Sequence, residues 1–237
     1  MVEINLKNIE SKFYERWDRI INILGEFFNA ELSLINHREN SELEILKANK
    51  SDVEPDDEYS DFLQHYNEMC YRILKGKTLM EKVIEDASIA ISLLRTIEEV
   101  GNNRIGTLGH SYGGNTALFQ GALDERIKFT CSSGAVCSYK NKMKNGTGIE
   151  MAEVIPGFIN NFEIEDLVKC FVKRDLLILS ATEDKYSKDA DKIYETAKTY
   201  FEQIGFEQRV VHKRCKGGHK LDKERFNYIT HMGITRT

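Results

Sequence analysis

Long apolar runs, paired-cysteine motifs and concentrated basic charge are all missing from the 237-residue sequence. No stretch approaches the roughly 18 apolar residues that a membrane span needs, and the residues after Met1 lack the pattern of a secretory signal. The formal net charge is −5, and no basic stripe suited to nucleic acid is recognisable. We therefore expect a cytoplasmic protein that binds neither membranes nor nucleic acid.

The cysteines are odd in number and none of them forms a CxxC pair. An odd number of cysteines without CxxC spacing favours reduced thiols over disulfides or a metal site. Hydrophobic residues make up 41% of the chain and charged residues 30%, which is typical of a globular protein with a substantial core. The five cysteines are Cys70, Cys131, Cys137, Cys170 and Cys215.

The first fifty residues have a different pattern from the rest. Apolar residues recur at helical spacing over 8–29, and two short strands are predicted at 30–35 and 43–46 around a polar turn. This helix and β-hairpin resemble the opening of a GAF sensor domain. An acidic stretch containing Pro55 follows, so we predict one unit over residues 1–50 and a second over residues 51–237.

The second unit alternates strands and helices, which indicates a mostly parallel sheet flanked by helices in an α/β fold. Two helical stretches come first, over 59–75 and 78–100, and Gly101 can end the second of them. The residues from 134 to 160 read as a long irregular segment, either part of a substrate pocket or a surface excursion. Strands are predicted at 104–108, 127–131, 176–180 and 209–213, and helices at 115–123, 164–171, 188–204 and 221–231.

The strongest chemical signal is a glycine-rich turn, 109–114, between a predicted strand and a helix. Its central Ser111 must project its hydroxyl away from so tight a turn, while Gly109 and Gly113 allow other backbone to approach. This is the geometry of a nucleophile elbow. A turn that serves packing alone is the alternative reading.

A serine nucleophile needs a base, and the base needs an orienting carboxylate. Asp184 follows the strand at 176–180, and His219 follows the last strand in a loop with two glycines. Both come after Ser111 in the chain order that this kind of site requires. We predict Ser111 as nucleophile, Asp184 as acid and His219 as base.

Each choice has a rival in the sequence. Glu183 is the alternative acid, and Asp184 could instead cap the following helix. His212 within a strand and His231 near the end of the chain are alternative bases. His110 is expected to pack or hydrogen-bond beside the site rather than to act as the base.

Together these segments resemble the dienelactone hydrolase and acetyl xylan esterase branch of the α/β-hydrolases. The likeness lies in residues 104–114, 122–127, 177–184 and 217–219. It implies a serine hydrolase that cleaves small-molecule carboxylic esters with Ser111, Asp184 and His219 and needs no cofactor or metal. Dienelactone hydrolases proper have cysteine in place of Ser111, so their substrate is not implied.

The resemblance also implies two-step acyl transfer, with the backbone N–H of Tyr112 as one oxyanion donor. A second donor is not recognisable upstream. About four strands usually precede the elbow strand, yet only 110 residues precede Ser111. We therefore expect a partial α/β-hydrolase fold that lacks its first strands.

Three outcomes of that shortage are open: the hairpin replaces the strands, another chain covers the edge, or turnover is low. We expect lowered or absent turnover, and we predict self-association as a homo-oligomer, because an uncovered edge strand exposes unpaired backbone groups. The alternative function is a weakly active or inactive hydrolase remnant with a GAF-like ligand-binding or assembly role.

Overall fold

The computed structural model of the protein describes residues 34–39, 42–48, 58–98, 100–206 and 209–236. The chain divides into two compact units, Met1–Gln64 and His65–Thr237. The helix predicted over 8–29 lies outside the described residues. Within the described ranges, no helix is long and apolar enough to cross a membrane.

The first unit contains the predicted β-hairpin. Strand β1 (Leu34–Glu39) pairs antiparallel with β2 (Glu42–Ala48), and Glu39 lies opposite Glu42. Strand β1 therefore runs beyond its predicted end at residue 35 and through residues that were expected to form the turn, while residues 30–33 of the predicted strand lie outside the described residues. A connection of two residues suits the twist of paired strands better than a longer polar turn does.

Two helices precede the four-stranded sheet in the chain. Helix α1 (Glu58–Leu74) is followed by α2 (Leu79–Leu94), which starts with a capping box between Thr78 and Glu81. The prediction that α2 extends to residue 100 is wrong, because the helix ends at Leu94. The hydroxyl of Thr96 donates to the carbonyl of Leu93 at 2.7 Å, a local bond that competes with continuation of the helix.

The second unit is built on four parallel strands in the order β3-β4-β5-β6. Helices connect successive strands, so the predicted α/β class and parallel sheet are confirmed. The segment expected to be irregular holds a short helix, α4, because Ser138 caps its start and Gly146 ends it in the left-handed region. The elements are β3 (Gly106–His110), α3 (Tyr112–Leu123), β4 (Phe129–Ser133), α4 (Tyr139–Asn145), α5 (Ile164–Lys169), β5 (Asp175–Ala181), α6 (Ala190–Gln203), β6 (Val210–Cys215) and α7 (Lys223–Arg236).

Strand β5 lies at the centre of the core and is buried along its whole length. Leu176 and Ile178 belong to the larger apolar cluster, which includes side chains of α3, α5 and α6. Leu177 and Leu179 pack on the opposite face with Ile229 of α7. Helices therefore cover both faces of the sheet. Because alternate side chains of β5 are buried on opposite faces, the strand is a continuous apolar run.

Strand β3 has a hydrogen-bonded neighbour on one side only among the described residues of the second unit. That neighbour is β4, and the side chain of Leu108 in the middle of β3 is 50% exposed. The strand that leads to Ser111 is thus an edge strand of this four-stranded sheet. Exposed edges of this kind favour pairing with a second chain.

We propose that the protein self-associates through β3, and we expect Leu108→Lys to lower the oligomer fraction in sedimentation velocity because a charged edge resists strand pairing. Leu123→Lys is the matched control, since Leu123 is 61% exposed at the end of α3. A monodisperse monomer for the unmodified protein would contradict the proposal.

Candidate active site

Ser111 occupies a strained turn between β3 and α3. Its backbone has φ 58° and ψ −125°, and its N–H donates to the carbonyl of Ser133 at 2.9 Å. A Cβ on Gly109 would lie 1.9 Å from the carbonyl oxygen of Gly113, and one on Gly114 would lie 2.7 Å from Ser133. The turn therefore needs glycine at 109 and 114. Gly113, which was expected to serve the same purpose, faces open space.

The structure brings the three predicted catalytic side chains together. The Nε2 atom of His219 lies 2.7 Å from the Oγ atom of Ser111. The Nδ1 atom of the same ring lies 3.0 Å from Oδ1 of Asp184. These are hydrogen-bonding distances at both ring nitrogens, which is the arrangement that a nucleophile, its base and an orienting acid require.

The surroundings of Asp184 fix the direction of these hydrogen bonds. The carboxyl group is buried and accepts from the N–H of Tyr186 and the hydroxyl of Ser187, both at 2.9 Å. Burial raises its pKa, but these bonds and the one from His219 outweigh that effect and bring the pKa below its ordinary value. An ionised carboxylate only accepts, so Nδ1 of His219 carries the proton and Nε2 is left to accept from Ser111.

Gly134 lies where the catalytic groups meet, and sequence reasoning did not identify it. Its φ is +61°, and a Cβ there would lie 3.0 Å from His110, 3.1 Å from Asp184 and 3.1 Å from His219. Its position at the end of β4 was a signal, because the carboxyl ends of parallel strands share one edge. Glycine is required at this position for both backbone and steric reasons.

Two aromatic rings flank His219. The His110 ring stacks on it with centroids 4.7 Å apart, and Nδ1 of His110 lies 3.0 Å from the hydroxyl oxygen of Ser133. The ring of Tyr186 is tilted by 47° relative to the His219 ring, and the two ring centroids are 4.5 Å apart. Burial and the charge of nearby His219 lower the pKa of His110 to about 4. His110 is thus a neutral ring beside His219, and the sequence had predicted that it packs or hydrogen-bonds at this position.

The rival residues lie elsewhere. Glu183 is exposed and only its backbone N–H binds this region, through the carbonyl of Gly217. His231 is exposed on α7. His212 lies 2.7 Å from the hydroxyl of Ser180, but Ser180 is 2% exposed, so a substrate cannot reach that pair.

The backbone N–H of Tyr112 is placed for the predicted oxyanion role. Tyr112 is the first residue of α3, and the first N–H groups of a helix have no acceptor within the helix. The positive end of the helix dipole lies at the same point. A negatively charged oxygen beside Ser111 would therefore be stabilised by the N–H of Tyr112 and by the positive end of the helix dipole.

The chain is similar to known proteins in sequence and in fold. Residues 53–159 match the acetyl xylan esterase (AXE1) family model. The match includes the elbow and ends before Asp184 and His219. Because it starts at residue 53, the GAF-like interpretation of the first fifty residues stays a prediction.

Individual relatives agree with that family match. The Bacillus subtilis protein YtaP, to which a hydrolase function is ascribed, is 27% identical over 128 residues, which are 51% of this chain and 42% of YtaP. A promiscuous carbohydrate esterase family 15 (CE15) esterase from a marine bacterial metagenome superposes with a TM-score of 0.56 at 17% identity, covering 65% of this chain and 47% of that one. A CE15 glucuronoyl esterase from Caldicellulosiruptor kristjansonii superposes with a TM-score of 0.54 at 17% sequence identity, and the match covers 65% of this chain and 50% of the esterase.

These structural matches show that the chain has the α/β fold found in the α/β-hydrolases. The chain spans about half the length of the relatives that it matches. In the described ranges, no group of three or more His, Cys, Asp or Glu side chains is arranged to hold a metal ion.

A small cavity of about 20 Å³ lies beside the group of Ser111, His219 and Asp184 and is lined in part by Gly134 and Tyr186. The buried ammonium of Lys142 pairs with Glu153 there. The Oε2 atoms of Glu150 and Glu153 are buried without a hydrogen-bond partner, so a bound water or a donor group of a substrate would satisfy them. Burial, followed by the charges of these two carboxylates, raises the pKa of Tyr112.

We expect Gly134→Ala to slow the reaction of Ser111 with a phosphonate probe about ten- to hundredfold, because small displacements of catalytic groups have effects of this size. Gly146→Ala is the matched control, since Gly146 has φ +74° and nothing within 4 Å of a new Cβ. Both changes add similar backbone strain. Equal labelling rates in the two variants would contradict the assigned contact of Gly134 with the catalytic groups.

The neutral state of His110 makes a prediction about stability. Its pKa of about 4 in the folded protein lies below the ordinary 6.5, so the unfolded chain binds the proton more readily between these values. Its contribution to the unfolding free energy is present above 6.5 and is lost as the pH falls towards 4. His110→Gln should therefore reduce the pH dependence of the urea midpoint over that range. An unchanged dependence would show that His110 does not titrate in this way.

Proposed function

We propose that the protein is a serine esterase in which Ser111, His219 and Asp184 form the catalytic triad. The observation that carries this proposal is the pair of hydrogen-bond distances at His219, 2.7 Å to Ser111 and 3.0 Å to Asp184. The strained elbow and the α/β-hydrolase fold support it. No cofactor takes part in this chemistry.

The reaction proceeds by two acyl transfers. Ser111 attacks the ester carbonyl while Nε2 of His219 takes its proton, and Asp184 stabilises the imidazolium that forms. The proton then passes to the leaving alcohol, and an acyl-enzyme remains. Water, activated by the same base, releases the acid and restores Ser111. The N–H of Tyr112 binds the oxyanion in both steps, and each such donor contributes about 3 kcal/mol.

The substrate that we propose is a small ester with a polar, hydroxyl-bearing part. The cavity of about 20 Å³ beside the triad, lined in part by Lys142, Glu150 and Glu153, has room for about one water molecule and therefore none for a long acyl chain. Acetyl xylan and glucuronoyl esters, the substrates in the names of the relatives, are of the polar kind. They are therefore the first esters to assay.

The direct test is labelling with a fluorophosphonate probe. We expect the folded protein to label at Ser111, Ser111→Ala to abolish labelling, and Asp184→Asn to lower its rate by up to about 10⁴-fold, since the acid sets the tautomer of the base. Ser180→Ala is the matched control, because Ser180 also contacts a histidine but is buried, and it should label normally.

Absence of labelling in folded protein would contradict the esterase proposal. The remnant with a ligand-binding or assembly role would then be the better description. Labelling without hydrolysis of acetyl sugars or glucuronoyl esters would preserve the triad and reject the substrate class.

A further inference from the structure

Arg225, on the first turn of α7, is a buried cation bound by backbone carbonyls. It is 3% exposed. Its guanidinium donates to the carbonyl oxygens of Lys216 at 3.2 Å and Gly218 at 3.1 Å, and also to that of Lys220. No carboxylate of the described residues lies within ion-pair distance of it. Burying a charge without a counter-ion is costly, so the contacts that Arg225 makes call for an explanation.

The three carbonyls belong to the loop that carries His219. Gly218 and Lys220 are its immediate neighbours in the chain, and Arg225 therefore holds the backbone on both sides of the imidazole. The loop also contains Gly217, which has φ +94°. Two consecutive glycines give a loop unusual conformational freedom. A guanidinium group with several hydrogen-bond donors restricts that freedom more effectively than a single hydrogen bond would.

The other side of the loop is fixed separately. The N–H of Gly217 donates to the hydroxyl of Thr182 at 3.1 Å, and the N–H of Glu183 donates to the carbonyl of Gly217 at 2.9 Å. These bonds join the loop to the segment that leads to Asp184. Arg225 is itself placed by its own N–H, which donates to Asp222 at 3.0 Å at the start of α7.

We propose that Arg225 is a positioning residue that holds the His219 loop so that the imidazole contacts Ser111 and Asp184 at once. It touches neither the reacting atoms nor a substrate, and it acts through the backbone on both sides of His219. The consequence for catalysis rests on the proposed esterase function. The predicted effect of Arg225 on the geometry of His219 does not depend on that function.

The sequence offers a matched control in Arg174. This residue is also buried, at 9% exposure, and its guanidinium donates to the carbonyls of Ala122, Asp124 and Cys170 and to that of Gly121. These carbonyls lie at the ends of α3 and α5, remote from the His219 loop in sequence. Replacing Arg174 by lysine thus removes a similar fork without touching the triad.

The experiment compares Arg225→Lys with Arg174→Lys in the full chain. Thermal unfolding and circular dichroism measure stability and fold, fluorophosphonate labelling measures the reactivity of Ser111, and the downfield imidazole N–H resonance reports the His219–Asp184 bond. We expect both variants to lose stability. Labelling should slow about ten- to hundredfold in Arg225→Lys and less than about twofold in Arg174→Lys, with the resonance lost only in the former.

Chemical rescue separates positioning from general stability. In Arg225→Ala, added guanidinium chloride at sub-denaturing concentration should restore part of the labelling rate, whereas sodium chloride at equal ionic strength should not. Arg174→Ala should show no such gain. Wild-type labelling and an intact resonance in Arg225→Lys would overturn the proposal.

The two proposals fail in different ways. If wild type does not label, the esterase function fails, and the N–H resonance alone decides the role of Arg225. Its loss in Arg225→Lys but not in Arg174→Lys, assigned with His219→Gln, supports positioning. Its retention in both variants rejects it. If Arg225→Ala is unfolded, the lysine variant alone carries the comparison.

Discussion

The candidate site depends on the parallel hydrogen bonding of β3 to β6, which aligns the ends of four strands at one edge. The ladder continues beyond the strands: the N–H of Ser111 donates to Ser133, that of Gly134 to Leu179, and that of Thr182 to the carbonyl of Cys215. Each loop is thereby tied to its neighbour by main chain. Side chains that are more than 100 residues apart in sequence then meet at fixed distances.

This alignment has an energetic cost at the elbow. A residue held in a sparsely populated backbone conformation costs roughly 1–3 kcal/mol, and Ser111 adopts φ 58° and ψ −125°. The strain persists because the surrounding structure leaves no room to relax: β4 holds the Ser111 N–H, and Gly109 and Gly114 admit backbone that any Cβ would exclude. The buried strand β5 supplies much of the core that stabilises this arrangement.

The proximity of the three proposed triad residues could be predicted because it depends on chain order and on strand ends. Ser111, Asp184 and His219 each follow a strand with a clear apolar pattern, and a parallel sheet places those ends together. Gly134 and Arg225 could not be predicted in the same way. The requirement for Gly134 arises from His110 at the end of β3 and from the loop residues Asp184 and His219. The role of Arg225 arises from backbone carbonyls whose direction no residue pattern reveals.

Element boundaries failed for a related reason. Helix α2 ends at Leu94 because of a side-chain bond from Thr96, and α4 forms because Ser138 and Gly146 cap a stretch of only seven residues. Both effects are local, yet they compete with apolar periodicity, which was the signal used. Caps and side-chain bonds contribute about 1 kcal/mol each, enough to move a boundary but not to change the fold.

The two serine–histidine pairs show why residue type alone does not define the site. Ser180 and His212 are as close as Ser111 and His219, and Asp191 lies 3.5 Å from the same ring nitrogen of His212 that Ser180 contacts. An acid on that nitrogen cannot orient the other one, so the proton transfer of a triad is unavailable. At His219 the acid and the serine bind opposite nitrogens, and that division makes the imidazole a base directed at Ser111.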